Sequence, residues 1–391
     1  MTITILRSML WTSVLALCGL GLVMIASTTT GRGIDGTNYS YLIRQFVALA
    51  AGLGMAALIS RSGTEHLRKP LLVAAAALGT LAMLVVAREF MRPINGAWRW
   101  IQLGPVSIQP AEFAKLTLIV SVAWYLMRVE ERVRVNWYGV LLPMAAFAVL
   151  AVLVYRTKDL GSIVVLAIVL WTMLFYAGAN WFYSLVVGLA CVPMVLYVAV
   201  FQTAYRRERI LAFLDPMNPE NDAAYHLKQS FIAIGSGGVN GVGLGQGMSK
   251  NSYLPENHTD FIYAVVCEEL GLIGGLAVAA GYLLFTWTGM LIAGRTRDRH
   301  QRLLAVGCTV LIGVQGFWNM LVVTGALPTK GLTLPFISYG GSSLVVCLTC
   351  LGVLDAVARS CPRDLSVEAR ATSRIGAAVV RSSRNKTEAA L

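Results

Sequence analysis

The sequence predicts an all-α polytopic membrane protein of ten transmembrane helices, with a large extracytoplasmic loop between spans 7 and 8. Three observations carry that expectation. Of 391 residues, 57% are hydrophobic and only 13% are charged, where a soluble domain carries about 25% charged residues. The apolar residues fall in runs long enough to cross a bilayer, near 9–28, 42–60, 70–87, 111–127, 139–155, 161–178, 183–202, 262–293, 302–324 and 342–359. One polar interruption, 203–260, is much longer than the others, and it delivers Asp260 to the head of an apolar run.

The first run, from Met9 to Ser27, follows Arg7 but is long and lacks a small-residue cleavage site, so it reads as a retained span. The eighth is too long for one straight crossing of about 30 Å and contains Gly271, Gly274 and Gly275. A polar entry followed by a kink near Gly271 is expected. Basic residues set the orientation. Arg7, Arg61, Arg68, Lys69, Arg128, Arg132, Arg134, the Arg295–Arg302 cluster and a basic tail at 361–391 fall on one side. That side is expected to be cytoplasmic, with both termini on it. The chain then divides into a membrane domain, 1–360, and a tail of Ser, Arg and Ala expected to lack a fold of its own. The net charge of +12 reads as this loop bias and as attraction to anionic lipid, not as nucleic-acid binding. Cys347 and Cys350 form a C-x-x-C pair inside an apolar run with no second pair, so they read as small core residues.

Three outside segments, 88–110, 203–260 and 326–341, are rich in Gly, Pro and polar residues. Irregular backbone near a membrane survives where it lines a cavity or packs on protein, so a bundle with a cavity open to one face is expected. Asp260 has two compatible readings there: a general base held at the interface, or, with Thr259, an N-cap opening the helix. Glu112 and Lys115, at i,i+3 in the fourth span, share a helix face, and at that depth they must pair or face a cavity. Glu268 and Glu269 are adjacent and point different ways, so at least one faces a polar interior or water. Asp355 reads as interfacial. Arg206, Arg207 and Arg209 open the long loop and suit a phosphate clamp as well as simple solubility. Lys330, Lys250, Lys158 and Arg99 are further cations on that side. Asp159, His258, Gln315 and Asn319 complete the polar candidates.

The glycine-rich stretch 235–247 lacks a dinucleotide or Walker signature and reads as a tight re-entrant turn. A second irregular segment, 325–343, contains Pro328, Pro335 and the hydroxyls of Ser338 and Ser342, suited to hydrogen-bonding a sugar or phosphate. His66, His226, His258 and His300 offer no metal-ligand spacing. No nucleotide or organic cofactor is implied.

At these segments the chain resembles the SEDS family, the FtsW, RodA and SpoVE group of cell-wall polymerases. The resemblance runs to about Ala358 and is carried by NGAWRWI (95–101), QPAEFAK (109–115), KDLGS (158–162), YRRERILAFLDP (205–216), QSFIAIGSGGVNGVGLGQG (229–247), LPENHTDFIYAVVCEELG (254–271) and GALPTKGLTLPFISYGGSS (325–343). The last segment, with Thr329-Lys330, resembles the division branch more than the RodA branch. Thr157-Lys158 departs from the family's usual Gln-Pro, which puts the local turn in question. The resemblance implies a glycosyltransferase polymerising lipid II at the outer face of the bacterial cytoplasmic membrane, at the division septum. Asp260 would be its essential aspartate and Glu112–Lys115 its intramembrane ion pair. It further implies a class B penicillin-binding protein of FtsI type and other divisome membrane proteins as partners. A divalent cation, Mg or Mn, is a candidate for neutralising the leaving pyrophosphate. The competing readings are a lipid II flippase, an elongation polymerase of RodA type, and a non-catalytic scaffold.

Overall fold

A computed structural model of the chain describes residues 1–30, 40–94, 96–104, 106–129, 133, 138–179, 213, 215, 222–248, 258–328 and 331–361. In chain order its helices are α1 (Ile3–Thr30), α2 (Ser40–Ser62), α3 (Pro70–Glu89), α4 (Pro110–Arg128), α5 (Tyr138–Arg156), α6 (Leu160–Tyr176), α7 (Asp222–Gly237), α8 (Ile262–Arg295), α9 (Arg299–Val323) and α10 (Gly341–Ser360). Eight of these are long and apolar enough to cross a membrane, and α6 is a shorter apolar helix. They coincide with nine of the ten expected spans. The seventh, 183–202, and the tail beyond 361 lie outside the described residues.

Two elements add to the expected bundle. A hairpin pairs β1 (Ile101–Leu103) with β2 (Val106–Ile108), in the register Ile101 with Ile108 and Leu103 with Val106. Helix α7 lies within the long loop and packs on α8.

α9 and α10 form the centre, and α2, α3 and α5 turn Phe46, Leu58, Leu71, Leu78 and Val152 outward, as lipid-facing helices do. Close helix contact rests on small residues, the expected glue where lipid tails compete with side chains for apolar contact. Along α8 and α9, Gly289 faces Thr309, Gly313 faces Thr286 and Gly316 faces Tyr282. Gly52 of α2 faces Leu348 of α10, and Gly352 of α10 faces the Ala56 backbone.

At the end holding the basic residues, polar side chains fix the helices. Asp355, expected to be interfacial, is fully buried. It accepts from Arg7 Nε (2.8 Å), Trp11 Nε1 (3.1 Å), Arg359 Nε (2.9 Å) and the Ser60 hydroxyl, so one carboxylate ties α1, α2 and α10 together. The apolar run around it hid this role, which depends on partners about 300 residues away. Asp298 caps α9 through Gln301 N–H (2.9 Å) and pairs with Arg68 (2.6 Å). Partial burial pushes its carboxyl up, but the Gln301 amide and Arg68 outweigh that and hold it below the ordinary value.

The kink expected near Gly271 is there. Gly271 breaks α8 with φ 67° and ψ −167°. A break frees backbone groups that hydrocarbon cannot satisfy, and the glycine-rich turn after α7 supplies them. Glu268 O accepts Val242 N–H and Glu269 O accepts Gly243 N–H, both at 3.0 Å. Leu272 N–H donates to Gly238 O (2.9 Å) and Ile273 N–H to Val239 O (3.3 Å). The two helical bonds lost at the break are replaced by four. The acidic side chains diverge, as adjacency requires. Glu269 takes the Ser27 hydroxyl of α1 (2.6 Å), and Glu268 takes Met248 N–H (2.8 Å).

Candidate active site

Asp260 sits in a turn, 258–261, at the mouth of the bundle and is half-buried. It does not cap α8. The N-cap position is Phe261, whose side chain makes no capping hydrogen bond. The turn is held by its backbone instead. His258 O accepts Tyr339 N–H (2.9 Å), Thr259 O accepts the Ser338 hydroxyl (2.6 Å), and Asp260 O accepts Asn319 Nδ2 (2.8 Å). Three successive carbonyls are thus fixed by α9 and by the segment between α9 and α10.

That segment, 331–340, re-enters the bundle. Leu332, Leu334, Phe336 and Ile337 are buried, and Phe336 takes φ 70°. Its polar backbone is satisfied residue by residue. Asn319 donates to Leu332 O (2.6 Å), Gln315 to Thr333 O (3.4 Å) and the Tyr282 hydroxyl to Pro335 O. Gln45 of α2 donates to Ser338 O and accepts Gly340 N–H, each at 3.2 Å. Leu334 N–H donates to the Ser338 hydroxyl (2.8 Å). Gln45 is a positioning residue that its apolar run concealed.

The buried ion pair feeds the same framework. Lys115 Nζ lies 2.7 Å from Glu112 and 3.1 Å from Gln315 Oε1, with the Glu112 and Lys115 side chains 5% and 1% exposed. Gln315 continues to Thr333, whose hydroxyl donates to Ser343 (3.1 Å). Asn319, one turn along α9 from Gln315, holds Asp260. The pair therefore braces the loop beneath the carboxylate. Removing one partner of a buried pair costs about 3–5 kcal/mol, whereas an apolar replacement of both is close to neutral. Glu112→Ala is expected to lower the thermal midpoint in detergent sharply, and Glu112→Leu with Lys115→Met to recover most of it. A Glu112→Ala protein as stable as wild type would remove the bracing role.

Gly331 sets the space around the carboxylate, and nothing in the sequence marked it. A Cβ there would stand 2.6 Å from Asp260 Oδ2 and 3.8 Å from Arg99 Nη1. Arg99 and Asp260 therefore approach over one glycine. With Asp260 as a catalytic carboxylate, Gly331→Ala would be expected to cut turnover about tenfold or more with little loss of thermal stability, because even a 1 Å displacement of such a group is costly. Turnover at the wild-type rate would show that the carboxylate has room to spare.

Arg99 reaches the site from the loop before β1, and its Nη2 donates to Lys158 O (2.7 Å). The Thr157-Lys158 turn is regular. Lys158 takes φ 63°, its N–H bonds Tyr155 O (2.9 Å), and Asp159 N–H bonds Val154 O (3.3 Å), a Schellman closure of α5. Asp159 then caps α6 through Ser162 N–H (3.2 Å), accepts the Ser162 hydroxyl (2.8 Å) and takes Gln109 Nε2 (3.3 Å). Ser342 accepts Gln109 N–H (3.1 Å) and donates to Ser107 O (3.3 Å), so it secures the hairpin to α10. His258 packs with Tyr41 and Tyr339 at ring separations of 5.2 and 5.9 Å.

The structure thus gathers Asp260, Thr259, His258, Arg99, Ser338, Asn319 and Gln315 at one mouth, with Glu112 and Lys115 bracing them. Glu268 and Glu269 lie about two helical turns along α8, facing the glycine turn and α1. Arg206, Arg207, Arg209, Lys250 and Lys330 lie outside the described residues. Among the described residues no three His, Cys, Asp or Glu side chains converge as metal ligands.

Comparison with known proteins identifies the family and the fold. The sequence profile of the FtsW/RodA/SpoVE family, described as "Cell cycle protein", matches residues 7–362. A relative in Idiomarina loihiensis named "Probable peptidoglycan glycosyltransferase FtsW" is 40% identical, over 88% of this chain and 85% of its own. One of the same name in Geobacter sulfurreducens is also 40% identical, over 87% and 91%. Among solved structures, a chain from a study of "Structural coordination of polymerization and crosslinking by a peptidoglycan synthase complex" superposes with a TM-score of 0.75. It is 30% identical, covering 90% of this chain and 96% of that one. Thermus thermophilus rod shape determining protein RodA superposes at 0.67, with 28% identity over 91% and 97%. With the match extending across all the described helices, the chain belongs to the FtsW/RodA/SpoVE family of polytopic membrane proteins.

Proposed function

We propose that the chain is a peptidoglycan glycosyltransferase that polymerises lipid II at the outer face of the cytoplasmic membrane, with Asp260 as general base. The single observation that carries this is the holding of Asp260 by its backbone. The three carbonyls of the turn are pinned, the N-cap position of α8 falls on Phe261, and Arg99 faces the carboxylate across Gly331. The names of the FtsW relatives support the same activity.

The reaction is an inverting displacement. The GlcNAc 4-hydroxyl of one lipid II attacks the anomeric carbon of the other sugar chain. The new C–O bond forms as the bond to diphosphate breaks, and the electron pair leaves with undecaprenyl diphosphate. Asp260 takes the hydroxyl proton. Arg99 meets the charge that grows on the departing diphosphate, assisted by Arg206, Arg207, Arg209, Lys250 and Lys330 of the loops. Ser338 and Ser342 keep the surrounding backbone in place. With the basic end inside, both termini are cytoplasmic. The resemblance to division members and the FtsW relatives favour a septal role. A class B penicillin-binding protein would supply the crosslinking, in keeping with the synthase complex that this fold matches, and other divisome proteins would surround the pair.

Purified protein, with and without that partner, is expected to convert lipid II to glycan strands. Headgroup translocation across vesicles with no polymer formed would favour a flippase instead.

A further inference from the structure

Beside Asp260 the fold gathers three cations, and among the described residues only Arg99 approaches a carboxylate, that of Asp260. Arg88 at the end of α3 places its guanidinium carbon 4.1 Å from the centroid of the Trp98 ring, and Lys158 Nζ lies 5.0 Å from the same centroid. Arg99, next in sequence, donates to Lys158 O and reaches toward Asp260 over Gly331. Two cations therefore flank one indole, and Arg99 is tied to the backbone of one of them. The nearby acids are engaged elsewhere: Glu89 pairs with Arg156 (3.3 Å), and Asp159 caps α6 and takes Gln109. Among the described residues neither Arg88 nor Lys158 has a carboxylate partner. The Nε atoms of Arg88 and Arg99 are buried and make no hydrogen bond among the described residues. Like charges held this close, with donors unspent, are balanced by an anion, and planar guanidinium groups fit phosphate oxygens.

We propose that Arg88, Arg99 and Lys158, ordered on Trp98, form a phosphoanion subsite beside Asp260 that holds the diphosphate of a polyprenyl-linked substrate. This rests on the polymerase reading above and names the residues that grip the leaving group. The indole orders Arg88 and Lys158 by cation–π contact, and the left-handed Lys158 turn offers its carbonyl to Arg99. Arg88 and Lys158 are thus fixed against one ring, and Arg99 against the Lys158 backbone.

The test uses the full chain in phosphatidylcholine nanodiscs, titrated calorimetrically with farnesyl diphosphate. Binding is expected in wild type. It should weaken about threefold to tenfold in Lys158→Gln and in Arg88→Gln, the size of a partly solvated charge-assisted contact. Lys158→Arg should keep it, and Trp98→Leu should weaken it as both cations lose their ordering. Lys158 is exposed and its ammonium makes no hydrogen bond among the described residues, so Lys158→Gln keeps the fold. Wild-type affinity in both Lys158→Gln and Arg88→Gln would overturn the subsite. So would a wild-type protein that ignores farnesyl diphosphate but binds nanodiscs carrying phosphatidylglycerol headgroups through the same residues. Asp260→Asn separates the two readings. If it polymerises normally while the cation variants lose diphosphate binding, the base assignment fails and the subsite stands. If it is inactive while the cation variants bind normally, the subsite fails and the base stands.

Discussion

Purified Asp260→Asn protein is expected to fold as wild type does and to polymerise lipid II at least about 100-fold more slowly, the lower end of what a positioned general base contributes. The two halves of that expectation have separate causes. Stability should persist because the turn is held through the carbonyls of His258, Thr259 and Asp260, which the substitution leaves alone. Activity should fall because an amide cannot take the proton from the acceptor hydroxyl, although its size is nearly the same. Asp260→Glu keeps the base but lengthens the arm by one methylene against a glycine that already leaves no room for a Cβ. Partial activity is expected there. A thermal midpoint and a polymerisation rate measured on one preparation decide the matter. Asp260→Asn at the wild-type rate would end the case for a base at this position.

The legible parts of this molecule are those written in local sequence. Apolar runs located nine helices, and charges at i,i+3 in a span announced the Glu112–Lys115 pair. A run too long for one crossing, with glycine inside it, announced the break in α8. A carboxylate at the head of an apolar run marked Asp260, but local rules favoured a cap there. The structure removes that reading, because tertiary hydrogen bonds set the turn before any cap is needed. What stayed hidden depends on distant partners. Asp355 looks interfacial until Arg7, Trp11 and Ser60 arrive from the other end of the chain. Gln45 is one amide in an apolar run until it clamps Ser338 and Gly340. Gly331 is one glycine among 37, and its importance lies wholly in which side chain comes to rest above it.

Gly271→Ala is expected to yield no folded protein in the membrane, where Gly79→Ala, on a helix with nothing within 4 Å of the new methyl, yields as much as wild type. The dihedrals of Gly271, φ 67° and ψ −167°, lie in a region that residues with a side chain essentially do not enter. Its Cβ would also fall on the backbone of Val239 and Gly241. Those backbone atoms cannot retreat alone, because Val239 O and the Val242 and Gly243 amides belong to the four hydrogen bonds that heal the break. Parting the turn from the helix strands those groups in a medium where each unsatisfied one costs several kcal/mol. Losing even a few approaches the whole stability of an ordinary protein, about 5–15 kcal/mol. Straightening the helix is no escape. The segment from Asp260 to Gly271 is about 15 Å long, so removing even a 20° kink would swing its tip by about 5 Å. Asp260 would then lose Asn319, and Thr259 would lose Ser338. Expression, monodispersity and thermal midpoint of Gly271→Ala against Gly79→Ala measure this directly, and a Gly271→Ala protein with a wild-type midpoint would show that the break is not what sets the carboxylate in place.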